Sequence, residues 1–252
     1  MLENNIAKPY YATQCKRLKE IRKNEKYKAF GIEWTVRVIL QFAAIFVPCG
    51  LVKCLSNGQP LLTRRKHIEM FAFAKVLLAY GLVRLGLANS FWVLLIIIIL
   101  CLDTLHALLS RIFLDFEWRE VVSYKRNMIM VFVNYIEVVL CFAAIYQYCD
   151  NNQDLHQGAA FVINNQISVG TSHLTPVQVI YFSFITAATI GYGDISPSAG
   201  LVQNMVTLQV IVSLFFIVVI VGNVMANLGN DGFLNRNPNS TDPIPDDSKL
   251  NP

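Results

Sequence analysis

Charge is scarce in this sequence. Of its 252 residues 15% are Asp, Glu, Lys or Arg, 54% are hydrophobic, and mean hydropathy is +0.45. A water-soluble domain carries about 25% charge, so the shortfall argues for surface that faces lipid. The six cysteines, Cys15, Cys49, Cys54, Cys101, Cys141 and Cys149, form no Cys-x-x-Cys pair, and most fall inside apolar runs. Metal-binding and disulfide roles are set aside in favour of buried thiols. The polar start, Met1-Leu2-Glu3-Asn4-Asn5, argues against a cleaved signal peptide. None of the apolar runs repeats Arg or Lys at every third position, which removes the row of gating charges that a voltage-sensing helix needs. No nucleophile–base pair, metal-ligand cluster or phosphate loop is evident, so neither an enzyme nor a cofactor is expected.

What charge there is has a pattern. Lys16, Arg17, Lys19, Arg22, Lys23, Lys26 and Lys28 crowd into thirteen residues. Beside apolar segments, such a cluster reads as a cytoplasmic flank in contact with anionic lipid headgroups rather than as a nucleic-acid site. Net charge is +4.

Long apolar runs are plentiful. Residues 91–110, 128–149 and 201–228 each reach the length of about 20 residues that crosses a bilayer core, and no Asp, Glu, Lys or Arg occurs between Asp194 and Asp231. Residues 68–88 are long enough but contain Lys75 and Arg84. Residues 34–55 are interrupted by Pro48 and Gly50, with Glu33, Arg37 and Gln41 on one helical face. Residues 150–171 are polar and read as an exposed loop. Thr175-Pro176-Val177-Gln178 then signals a helix start, with Thr175 as N-cap and Gln178 closing a capping box. The apolar helix 176–188 is too short to span. It runs into Thr189-Ile190-Gly191-Tyr192-Gly193-Asp194. The tail 229–252, rich in Gly, Asn, Asp and Pro, reads as disordered.

TIGYGD has a physical reading. A strand whose carbonyls all point one way needs alternate residues in left-handed conformations, which glycine adopts at low cost. Gly191 and Gly193 stand at alternate positions. Four such strands around an axis could replace the hydration shell of a potassium ion, which takes about eight oxygens. With its flanking helices, the stretch from Tyr181 to Pro197 resembles the pore helix and filter of the potassium-channel pore family, over residues 128–228. The resemblance implies an ion path lined by the carbonyls of Thr189, Ile190, Gly191, Tyr192 and Gly193, with the Thr189 hydroxyl added. K⁺ is then the permeant ion. It also implies that Tyr181 and Asp194 brace the outer mouth. Ile185 departs from the family, standing where some members carry a carboxylate. Gln209-Val210-Ile211-Val212-Ser213 replaces the hinge glycine that many carry, and Gly222 is the alternative bending point.

The expected fold is an all-α membrane protein with four transmembrane helices, a pore helix and a re-entrant filter loop. Residues 34–55 add an interfacial or fifth membrane segment. The expected divisions are a basic cytoplasmic N-terminus (1–33), membrane helices and an inside loop (34–127), a pore domain (128–228) and the tail (229–252). With the filter facing outward, Arg64, Arg65, Lys66, Arg111, Arg119, Lys125 and Arg126 all fall inside, in the plasma membrane with both termini cytoplasmic; the alternative, five spans with residues 34–55 crossing, puts the N-terminus outside. One pore loop per chain implies a homotetramer. The alternatives are a modulatory subunit of a hetero-oligomer and a transporter subunit, although the latter typically has four pore loops per chain.

Depth along the helices suggests polar pairs. Lys75 and Asp103 fall about 10–12 Å from the inner boundary and are expected to pair. Glu137 and Ser213 fall at matching depth, so a structural hydrogen bond between them is expected. His106 stands one turn from Asp103 as an interior histidine. His156 and His173, on the outer side, are candidates for pH sensing, although surface histidines more often have no role.

Overall fold

The computed structural model describes residues 10–23, 30–45, 61–114, 124–152, 159–163, 173–198 and 200–228. The expectations for Pro48, Gly50, His156, Arg119 and the tail lie outside these. Among the described residues the helices are α1 (Tyr10–Lys23), α2 (Ile32–Ala43), α3 (Leu61–Arg84), α4 (Phe91–Phe113), α5 (Tyr124–Asn151), α6 (Pro176–Ala187) and α7 (Gly200–Leu228). Strands β1 (Phe161–Ile163) and β2 (Ile195–Pro197) pair antiparallel, with Val162 opposite Ser196.

Three of these described helices are long and apolar enough to cross a membrane, through Phe91–Ser110, Met128–Asn151 and Gly200–Gly222. The chain is a multi-pass membrane protein. α3, at 24 residues, has the length of a span, about 36 Å, but carries more charge. It stops at Arg84 rather than Ala88 because Gly86, at φ 66°, turns the chain in the left-handed region. α2, at 12 residues, covers only about 18 Å.

α5 is the centre of the bundle. It packs against α3, α4, α6 and α7, and 67% of its apolar stretch is buried, against 17% in α7. The main core joins Ala79 and Val83 of α3, Ile97 and Leu108 of α4, Val138 and Tyr146 of α5, Val179 and Phe182 of α6, and Val202 and Phe216 of α7. A second, smaller cluster, Ile21, Leu40 and Leu114, fastens α1 and α2 to the end of α4. His106 supports that joint: its Nε2 lies 3.0 Å from the Leu40 carbonyl.

The segment expected to be an exposed loop is in part structural. Phe161 is buried and meets Tyr146 and Phe182 edge-on, with ring centroids 6.0 and 5.2 Å away. This aromatic triangle ties β1, and through β1 the strand that follows TIGYGD, to α5 and the middle of α6.

Candidate functional site

α6 begins where its sequence says it should. Gln178 N donates to the Thr175 hydroxyl at 3.4 Å, and Thr175 N donates to Gln178 Oε1 at 2.9 Å, closing the capping box around Pro176. Just before the cap, Leu174 N donates to Asp150 Oδ2 at 2.6 Å, and His173 Nδ1 lies 2.9 Å from the Asp150 carbonyl. The N-terminus of α6 is thereby fixed to the end of α5.

Along its length α6 is held by uncharged hydrogen bonds. The buried Ser183 hydroxyl donates to the Val139 carbonyl of α5 at 2.7 Å. Gln209 Nε2 of α7 donates to both the Ser183 carbonyl and its Oγ at 2.9 Å. Gln209 Oε1 in turn accepts from the Tyr146 hydroxyl at 2.5 Å. At the far end, the Tyr135 hydroxyl donates to the Ala187 carbonyl at 3.1 Å.

α6 ends in a Schellman cap. Ile190 N donates to the Ile185 carbonyl at 2.9 Å and Thr189 N to that of Thr186 at 3.0 Å. This double closure needs a left-handed residue after the cap position, usually glycine. Here Thr189 fills it at φ 56°. A β-branched residue there is a genuine outlier and costs about 1–2 kcal/mol. Gly191 and Gly193 follow at φ 60° and 78°. Every second residue of Thr189–Gly193 is therefore left-handed, so successive peptide groups lose the alternation of an extended strand and can present their oxygens to one side. A Cβ built on Gly191 or Gly193 meets nothing within 4 Å. Backbone conformation, not crowding within the chain, requires glycine at both positions.

The segment lies on open surface. Ile190 is 52% and Tyr192 69% exposed, which is unusual for large apolar side chains in an ordered loop. Behind it, the Tyr181 hydroxyl lies beside the Asp194 carboxylate. Ile185, by contrast, is buried.

The other polar residues form a separate cluster across α3, α4 and α5. Lys75 Nζ lies 2.9 Å from Asp103 Oδ2, 2.7 Å from the Thr104 hydroxyl and 3.1 Å from Glu137 Oε2. The expected Glu137–Ser213 bond is therefore corrected: Glu137 faces Lys75. A carboxylate buried among apolar side chains is held best by a cation, and α5 turns Glu137 toward α3. Ser213 is buried against α5 beside Tyr135. The Ser183–Gln209–Tyr146 chain was missed in the sequence, where the one available signal was a glutamine in an otherwise apolar run.

Residues 134–230 match the family model described as Ion channel. This stretch holds most of α5, all of α6, the TIGYGD loop and α7, so the site lies within the part of the chain that is similar to that family. No curated protein matches the chain.

Proposed function

We propose that the chain is a potassium-selective channel subunit, and that four copies surround one pore. The observation that carries this reading is the run of left-handed residues at Thr189, Gly191 and Gly193. On a fourfold axis each peptide oxygen from Thr189 to Gly193 becomes one corner of a ring of four. An ion between two rings meets about eight oxygens in place of its water. The Thr189 hydroxyl adds a ring at the inner end. Smaller Na⁺ gains less from rings held at that radius or field strength.

The rest of the domain serves this geometry. The Tyr181–Asp194 contact braces the outer mouth. The C-terminal dipole end of α6 points toward the axis beneath the filter, where it favours a cation. α7 lines the path below. Its exposed apolar face, with Ile190 and Tyr192, is surface for neighbouring copies. The filter faces outward in the plasma membrane, and α3, α4, α5 and α7 span it with both termini inside. Voltage gating by a row of charges is not part of the design, nor is catalysis.

The test is homomeric reconstitution. Purified protein in liposomes is expected to pass K⁺ and Rb⁺ and to exclude Na⁺, and Gly191→Ala to reduce K⁺ flux to the leak of empty vesicles while assembly is kept. Equal Na⁺ and K⁺ fluxes, or an unaltered Gly191→Ala protein, reject the filter assignment. An assembled wild type that is silent alone and conducts only with a second subunit makes it a modulatory chain.

A further inference from the structure

We propose that Gln209 is a positioning residue for the filter, holding α6 at a fixed height and rotation against α7 so that the two move as one body. This rests on the channel reading for its functional meaning, but not for its geometry.

The four groups admit one hydrogen-bond direction. The Ser183 hydroxyl has a single proton and gives it to the Val139 carbonyl, an acceptor only. Its oxygen must then accept from Gln209 Nε2, which also reaches the Ser183 carbonyl. The amide orientation this requires leaves Gln209 Oε1 as the acceptor for Tyr146. Tyr146, Ser183 and Gln209 are all 0% exposed, so no water competes for any of these bonds. One side chain thus joins the outer helix α5, the short helix α6 and the inner helix α7.

Its place on α7 gives this leverage. Among the described side chains of α7, Val202, Gln209, Ser213 and Phe216 are the buried ones, and at spacings of seven, four and three they make one stripe facing the bundle. Gln209 is its long polar member, and it grips α6 two residues before Ile185, whose carbonyl closes the Schellman cap. A rotation of α7 about its axis therefore pulls on the carbonyl end of α6 and on Thr189. Leucine at 209 keeps nearly the same bulk and gives no hydrogen bond. It strands the Tyr146 hydroxyl and leaves Ser183 without its donor, a loss that corresponds to about tenfold or more.

Amide hydrogen exchange on the purified full-length assembly tests this, comparing two caps of the same geometry. In Gln209→Leu the amides of Ala188, Thr189 and Ile190 are expected to exchange at least about tenfold faster, while those of Gly86 and Leu87, capping α3, keep the wild-type rate. Tyr146→Phe, which deletes one hydroxyl, is expected to shift the same amides by less, and it replaces Gln209→Leu if that variant fails to assemble. In single-channel recordings the shift appears as shorter bursts at unchanged unitary current. Equal acceleration at both caps means a merely structural role and overturns the proposal, as does no acceleration at Thr189. A wild type that conducts no K⁺ rejects the channel reading, and the exchange result still decides the role of Gln209.

Discussion

Two helices in this chain end in the same pair of hydrogen bonds with different residues at the strained position. After α3, Leu87 N donates to the Leu82 carbonyl and Gly86 N to that of Val83, with Gly86 at φ 66°. After α6, Ile190 and Thr189 make the same two bonds at φ 56°. Each cap is tied to α5: Gln147 Nε2 donates to the Val83 carbonyl at 3.2 Å, and the Tyr135 hydroxyl to that of Ala187. Space does not separate the two positions, since a Cβ on Gly86 meets nothing within 4 Å. The α3 turn uses the residue that fits at least strain. The α6 turn keeps a threonine against a cost of about 1–2 kcal/mol, which is reasonable only if the side chain has work to do there. Backbone strain of this size is held where the surroundings over-determine it, often at functional sites.

The helices differ also in what anchors them. α3 is held by the Lys75–Asp103–Glu137 cluster, α6 along its length by neutral bonds. Replacing Lys75 by Met should have the largest effect on stability. It leaves two buried carboxylates without their cation and is expected to cost about 3–5 kcal/mol in chemical denaturation of the purified protein, with ion selectivity kept in whatever assembles. A loss below 1 kcal/mol shows that the cluster adds little. Thr189→Gly probes the other end. Relief of strain is expected to stabilise the fold by about 1 kcal/mol, while relative Na⁺ permeability rises on the order of tenfold, the effect of about 1.4 kcal/mol in discrimination. A stable variant with wild-type selectivity removes the reason for threonine. Gly86→Thr should change least in function: about 1–2 kcal/mol of stability lost and permeation unaltered. If it alters selectivity, the two caps are coupled more closely than their separate anchors suggest.

Much of the site could be read from the residues because its signals are local. The Thr175–Gln178 capping box and the glycines at alternate positions each depend on neighbours within a few residues. The left-handed Thr189 was hidden, because a cap followed by a β-branched residue is not a recognised pattern. Counting residues from the helix ends gives height in the bilayer but not direction around the axis. Lys75 and Asp103 share a height and lie 2.9 Å apart, whereas Glu137 and Ser213 also share one and face different neighbours. Phe161 was lost among Asn and Gln neighbours, since three residues of strand give too short a pattern to stand out.

α7 carries no ionised side chain along its 29 residues. On the proposed reading, the vestibule wall below the filter has no fixed charge with which to enrich cations from the cytosol, and no anionic ring on which a multivalent blocker could lodge. Outward supply to the filter then follows the bulk concentration, so throughput depends on how the aqueous lumen is filled rather than on an electrostatic reservoir.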